Sequence, residues 1–143
     1  YYKNPDATAA AMTPDGWLKT GDLGVIDRDG FIFIRGRSKT MILSSNGQNI
    51  YPEEIESILG TLPYVTESLI VQRPEGLVAL ILPDRDRAEK DGLDAAALQA
   101  TMADNLRQLN SRIPKYCNVS AVELRDEPFE KTPKQSIKRY LYK

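Results

Sequence analysis

The chain has 143 residues, 41% of them hydrophobic and 27% charged, with a formal net charge of −1. That length suits one ordinary domain, or a small domain plus part of another, and the balance is globular rather than disordered. A net charge this close to zero supplies no global field to recruit nucleic acid, and the absence of histidine excludes a Ser-His-Asp triad, a Cys-His pair and any His-ligated zinc site within these residues. Chemistry here falls to Lys, Arg, carboxylates, hydroxyls and the backbone.

Cys117 is the single cysteine, so no intrachain disulfide can form, which fits a reducing compartment and a cytoplasmic location. Apolar runs such as Leu77–Leu82 are too short to span a bilayer, and we expect no signal peptide. The sequence opens on Tyr1 with no initiating Met, and we expect a piece of something longer.

The first expected element is a β-hairpin. Val25-Ile26 and Phe31–Ile34 are β-prone, and Asp27-Arg28-Asp29-Gly30 between them has turn chemistry. A lone hairpin is marginal, so this one needs a partner to bury its face. Thr40–Pro52 reads as a second hairpin turning at Asn46-Gly47. A short helix follows from Pro52, with Ile55, Ile58, Leu59 and Leu62 as its apolar stripe. Glu53, Glu54 and Glu56 lie near its positive N-terminal end, which accounts for them without a metal.

Glu67–Arg73 and Leu77–Pro83 then read as strands joined tightly through Pro74-Glu75-Gly76, and Asp84–Gly92 as a charged surface loop. A long helix is expected from about Ala95 to Arg112. Asp94 would cap it, and Leu98, Met102, Leu106, Leu109 and Ile113 would form its apolar face. Cys117–Leu124 reads as a third strand, and the short tail ends in a helical turn at Ile137–Lys143. The expected class is α+β: residues 38–143 as a small domain of a hairpin, a three-stranded sheet and helices, and residues 1–37 as a hairpin segment belonging to something larger.

Three stretches occur in order: WLKTGDLG (Trp17–Gly24), GRSKTMILSSNGQNIYPEEIE (Gly36–Glu56) and KTPKQSIKR (Lys131–Arg139). Together they resemble the C-terminal end of the acyl-adenylating superfamily, which includes acyl-CoA synthetases, luciferases and peptide-synthetase adenylation domains. The YYKNP opening and the LSSNGQNIYPEEIE wording are most similar to its long-chain fatty-acid CoA ligase branch.

The resemblance implies a two-step reaction. A fatty-acid carboxylate attacks the α-phosphate of ATP and releases pyrophosphate; the acyl-adenylate is then attacked by the thiol of CoA. It implies ATP, Mg2+ and CoA as cofactors, bound mainly by a large N-terminal domain that would precede this chain. Residues 1–37 would be the last piece of that domain, and residues 38–143 its mobile lid, inactive when isolated. Other adenylating branches, for aryl acids or carrier-protein loading, remain open, as does a stand-alone binding or interaction module. Peripheral contact with the inner face of the membrane is compatible with a long-chain substrate.

By the same resemblance, Asp22 corresponds to a ribose-binding aspartate, and Arg37 to an arginine that contacts nucleotide hydroxyls and phosphate. Lys39 falls on the hinge position. Gly47 falls in the loop that lines the CoA tunnel, although relatives carry a lysine in the strand before it where this chain has Met41–Ser45.

The end motif usually reads Lys-Thr-x-x-Gly-Lys-Ile-x-Arg. Lys131, Thr132, Ile137 and Arg139 match it, but Gln135 and Ser136 stand where Gly and the adenylation lysine would be. A neighbouring lysine could replace the missing one, the cation could be lost, or the substitution could be deliberate. In an extended segment Lys134 and Lys138 would both share the face of Ser136. Lys138 is the preferred substitute there, because it lies nearer the matching Ile137 and Arg139.

Overall fold

A computed structural model describes residues 1–142, and the chain divides into two compact units, Tyr1–Met41 and the residues from Ile42 onward.

The first unit opens with a helix the sequence reading did not anticipate, α1 (Pro5–Ala11). Its cap explains it. The Asn4 side chain accepts from the Ala7 amide at 2.9 Å, and Pro5 occupies the first turn, where its missing N–H costs nothing. Strands β1 (Asp22–Ile26) and β2 (Ile32–Arg37) then pair antiparallel around the expected turn, with Asp27 Oδ1 accepting from the Asp29 and Phe31 amides at 2.9 Å each. Among the described residues, none of Tyr1–Met41 is buried; Ile32 is 66% exposed and its neighbour Phe33, pointing to the other face, 52%. A hairpin bare on both faces has no core of its own.

The second unit begins with the short hairpin β3 (Ile42–Leu43) and β4 (Asn49–Ile50) and helix α2 (Pro52–Leu59), which buries Pro52, Ile55 and Leu59. A three-stranded sheet follows in the order β5 (Val65–Arg73), β6 (Gly76–Pro83), β7 (Val119–Leu124). β5 and β6 are antiparallel, whereas β6 and β7 run parallel, which obliges the long crossover carried by α3 (Arg85–Lys90) and α4 (Ala95–Arg112).

β6 is the middle strand, and alternate residues point to opposite faces. Leu77, Ala79 and Ile81 join Ile55, Leu59, Leu98, Met102 and Leu109 in the core under α2 and α4. Val78 and Leu80 join Leu69 and Val71 on the opposite face. Two-faced burial is why Leu77–Leu82 is a continuous apolar run rather than an alternating one.

Two expectations need correcting. The charged stretch after β6 is not a loop but helix α3: Asp84 caps it by accepting from the Arg87 amide at 3.0 Å, and Ala88 is buried beneath it. One apolar side chain in so short a segment leaves no periodicity to read. The third strand starts at Val119, because Lys115–Cys117 form a 3₁₀ turn after Pro114. The buried face of α4 also takes in Asn105, which donates to the Pro63 carbonyl at 2.8 Å, while Leu106 and Ile113 pack half-buried against the same core. The capping role of Asp94 stands, with its carboxylate accepting from the Ala97 amide at 2.7 Å.

The terminal segment is a structural layer and not a tail. Phe129 is buried, and with Ile137 and Tyr142 it covers the Leu69, Val71, Val78, Leu80 face of the sheet. The expected closing helical turn is a 3₁₀ turn at Arg139–Leu141, and Lys143 lies outside the described residues.

Candidate functional site

The basic segment folds into a tight hairpin loop. Lys131 and Ile137 face each other in an antiparallel bridge, and the Lys138 amide donates to the Glu130 carbonyl at 2.8 Å, which together make a short stem. Between them the Thr132 amide donates to the Ser136 carbonyl at 2.8 Å and the Gln135 amide to the Thr132 carbonyl at 2.9 Å. The turn closes only because Gln135 adopts φ +61°, a left-handed conformation. That is the position at which the resembling motif carries glycine, the residue for which this conformation has no steric cost.

This geometry removes the extended arrangement on which the pairing of Lys134 and Lys138 about Ser136 was reasoned. Lys134 lies in the turn, exposed, with no side-chain partner among the described residues. Lys138 lies in the stem, where its ammonium reaches Glu130 Oε2 at 3.0 Å. That hydrogen bond, with the charge of Glu130 beside it, raises the Lys138 pKa above the ordinary lysine value.

Both legs of the loop are tied to β5. On the incoming leg, Lys131 forms an ion pair with Glu67, whose other oxygen accepts from the Phe129 amide at 3.3 Å. On the outgoing leg, Arg139 forms an ion pair with Glu56 of α2 and lies 3.7 Å from Glu53 Oε1. Glu56 in turn accepts from the Ile70 amide of β5 at 2.7 Å. Burial pushes the Glu56 carboxyl above its usual 4.5, against the opposing pull of Arg139 and the Ile70 amide. Tyr142 completes the arrangement. Its hydroxyl accepts from the Glu130 amide at 2.7 Å, its ring meets Phe129 edge-on with centroids 5.0 Å apart, and the Arg125 guanidinium lies 4.9 Å from both rings.

Glu56, Glu67 and Tyr142 were missed as contributors. Helix polarity explained Glu56 adequately, and nothing local in sequence announces a partner that far along the chain.

The other candidates divide between the two units. Asp22 and Arg37 are cross-strand partners in β1 and β2. Arg37 Nε lies 2.9 Å from Asp22 Oδ1, and its Nη1 donates to the Thr20 carbonyl at 3.2 Å. The sequence had named these two for one ligand, and the hairpin sets them side by side. A carboxylate that can accept from a cis-diol beside a guanidinium that can donate to oxygen fits a ribose-phosphate, and an exposed pair of this kind parts at little cost. Lys39 is exposed in the turn Arg37–Met41, whose Thr40 and Met41 amides both bond the Arg37 carbonyl at 3.1 Å.

In the second unit, Gly47 closes the β3–β4 turn at φ +79°, and its amide donates to the Ser44 carbonyl at 3.0 Å. A side chain at Gly47 would meet nothing within 4 Å, so the backbone conformation and not crowding within this chain calls for glycine. Ser44 and Ser45 of the same hairpin border a cavity of about 310 Å³ that continues along the β5–β6 turn past Arg73. Among the described residues no group of three or more His, Cys, Asp or Glu side chains could hold a metal ion, so no step is assigned to Mg2+ held by these residues.

The fold and the anchored loop together define a class, and sequence comparison identifies it: the chain belongs to the AMP-binding enzyme C-terminal domain family, whose model matches residues 39–142. Among curated proteins it is 37% identical over 131 residues to the indoleacetate–CoA ligase of Aromatoleum aromaticum, covering 88% of this chain and 23% of that one. Among solved structures it superposes on the adenylation domain of a carboxylate reductase from Mycobacterium chelonae with TM-score 0.84 at 21% identity, covering 99% of this chain and 23% of the other. It also matches a fatty acyl CoA synthetase of Mycobacterium tuberculosis with TM-score 0.59 at 27% identity, covering 99% of this chain and 26% of that one. The chain thus spans about a quarter of the length of the proteins it resembles.

Proposed function

We propose that this chain is the closing C-terminal portion of an ATP-dependent acid–CoA ligase, and that its acid is a fatty acid. The observation that carries the reading is the loop Thr132–Ser136. It is held at both legs by ion pairs to partly buried carboxylates, and it presents one exposed cation, Lys134, with no side-chain partner among the described residues. The wording of Tyr1–Pro5 and Leu43–Glu56 supports the fatty-acid branch.

The chemistry asks for such a loop. A carboxylate oxygen attacks the α-phosphorus of ATP, the bond to the bridging oxygen breaks, and pyrophosphate leaves. Both reactants are anions, and a fixed cation between them stabilises the charge that accumulates at the transition state. Lys134 takes that role in preference to Lys138 because it stands in the exposed tip of the loop, whereas Lys138 lies in the stem with its ammonium beside Glu130. Asp22 accepts the ribose hydroxyls and Arg37 donates to the nucleotide. In the second step the CoA thiol attacks the acyl carbonyl and AMP leaves, with the Gly47 turn along the path of the thiol arm. A change of backbone conformation at Lys39 swings the lid between the two steps. Mg2+ bound to the phosphates would offset part of their charge. The preceding part of the polypeptide would supply the acyl pocket and most of the ATP site. A cytoplasmic setting, with access to acids held at the inner membrane face, suits these substrates.

The test is acid-dependent ATP–pyrophosphate exchange by the full-length protein, across short, long and aromatic acids. Exchange with long acids that falls about 100-fold in Lys134→Ala and persists in Lys138→Ala supports the reading. Exchange confined to aromatic acids moves the substrate to the aryl branch. Undiminished exchange in Lys134→Ala removes that lysine from the mechanism, and no exchange with any acid overturns the ligase.

A further inference from the structure

We propose that Arg139 is a positioning residue for the adenylation half-reaction: by bridging Glu53 and Glu56 it fixes the outgoing leg of the Thr132–Ser136 loop and so sets where Lys134 stands. The inference rests on the reading of Lys134 given above.

The loop tip has no packing of its own. Pro133, Lys134, Gln135 and Ser136 are all exposed. Its short stem is the Lys131–Ile137 bridge with the Lys138 amide on the Glu130 carbonyl, and Ile137 rests on the sheet. Placement of the tip therefore depends on where the two legs are fastened, and they are fastened to the same strand. The incoming leg reaches β5 at Glu67 through Lys131. The outgoing leg reaches β5 at Ile70 through Arg139 and Glu56. An ion pair to β5 on one leg, and on the other an ion pair to an α2 carboxylate that is itself hydrogen-bonded to β5, resist both lift and rotation of a hairpin, whereas one tie alone leaves a pivot.

The residue types suit the task. One guanidinium nitrogen of Arg139, Nη2, lies between two carboxylates, Glu56 directly and Glu53 at 3.7 Å. A lysine ammonium keeps the charge but is a compact, strongly hydrated point on a different stem, so it does not reproduce that placement. Glu56 spends one oxygen on Arg139 and the other on the Ile70 amide, so its own orientation is fixed. Arg139 is thereby engaged within the protein, and its effect on any reacting group passes through Lys134.

The experiment compares full-length wild type with Arg139→Met, Arg139→Lys and Glu56→Gln. Glu56→Gln keeps an oxygen for the Ile70 amide while removing the charge that Arg139 grips, and so serves if Arg139→Met fails to fold. The readouts are acid-dependent ATP–pyrophosphate exchange, thioester formation from supplied acyl-adenylate and CoA, and deuterium uptake in the peptide Glu130–Arg139. Misplacing one catalytic group should lower the exchange kcat about tenfold or more with the KM for ATP little changed. Thioester formation should be spared and uptake in the loop peptide should rise, with Arg139→Lys only partly restoring either. Equal loss in both half-reactions would mark Arg139 as merely structural and overturn the proposal, as would loop uptake at the wild-type rate in Arg139→Met. If the wild type itself shows no exchange with any acid, the ligase reading and the role given to Arg139 in it both fall, while the uptake result still decides whether Arg139 anchors the loop.

Discussion

Arg139 and Glu56 stand 83 positions apart in sequence and meet as an ion pair, and the second oxygen of Glu56 accepts the Ile70 amide at 2.7 Å. The pair is mostly but not fully buried, with side chains 23% and 15% exposed. Breaking it should cost less than a fully buried pair and more than a surface one, about 2 kcal/mol for Arg139→Met by urea unfolding. A double-mutant cycle with Glu56→Gln should return a coupling of about 1 kcal/mol. A coupling of zero would mean that the two side chains do not hold each other in solution.

The same carboxylate gives stability a pH dependence of defined sign. The Glu56 pKa is raised in the fold, above 4.5, so the folded state binds the proton more tightly than the unfolded chain. The stability contributed in this way is complete below 4.5 and is lost as pH rises through the folded pKa. Removing Arg139 takes away a charge that lowers the pKa, so Arg139→Met should move the window further upward. The check is urea unfolding of wild type, Arg139→Met and Glu56→Gln between pH 4 and neutrality; a wild-type stability that rises through this window relative to Glu56→Gln would contradict the sign.

Gln135 sits at φ +61° with an exposed side chain that makes no hydrogen bond among the described residues. Gln135→Gly removes the cost of the left-handed backbone, and part of the gain is offset by the extra freedom of glycine when unfolded. The expected net is a stabilisation of about 0.5–1 kcal/mol, read as a higher Tm. A lower Tm would mean that the loop in solution does not close through this conformation.

Phe129 separates a core layer from a solvated tail. It is 4% exposed and packs among Leu69, Val71, Val78 and Leu80. Phe129→Ala should cost about 3 kcal/mol and loosen everything that follows it. A tail residue would cost less than about 0.5 kcal/mol, so the size of the loss decides the question.

Local chemistry carried most elements into view. Pro52 at a helix start, Asp94 as a cap, the Asn46-Gly47 turn and the bounded apolar runs of β5 and β6 are each readable within a few residues, because caps, turns and strand alternation are short-range effects. α1 and α3 escaped. One carries no apolar stripe and the other a single buried alanine, so neither has the periodicity by which a helix is recognised. The candidate residues were also named one by one, from a resemblance spread over three stretches. It is the hairpin register that sets Asp22 opposite Arg37, and the turn around Gln135 that separates Lys134 from Lys138.

The sequence by itself determined which chemistry is available: no histidine, one cysteine, and a basic terminal segment whose order of residues resembles an adenylating motif. It also determined the strands and the long helix, since these follow from spacing along the chain. Only the tertiary structure decided that this segment is a layer of the core, that Glu67 and Glu56 fasten its two legs, and that Lys138 meets Glu130 while Lys134 stands exposed in the turn. The reason is physical. An ion pair depends on distance through space, and residues tens of positions apart become neighbours only when a parallel crossover and a returning terminal segment bring them to the same strand.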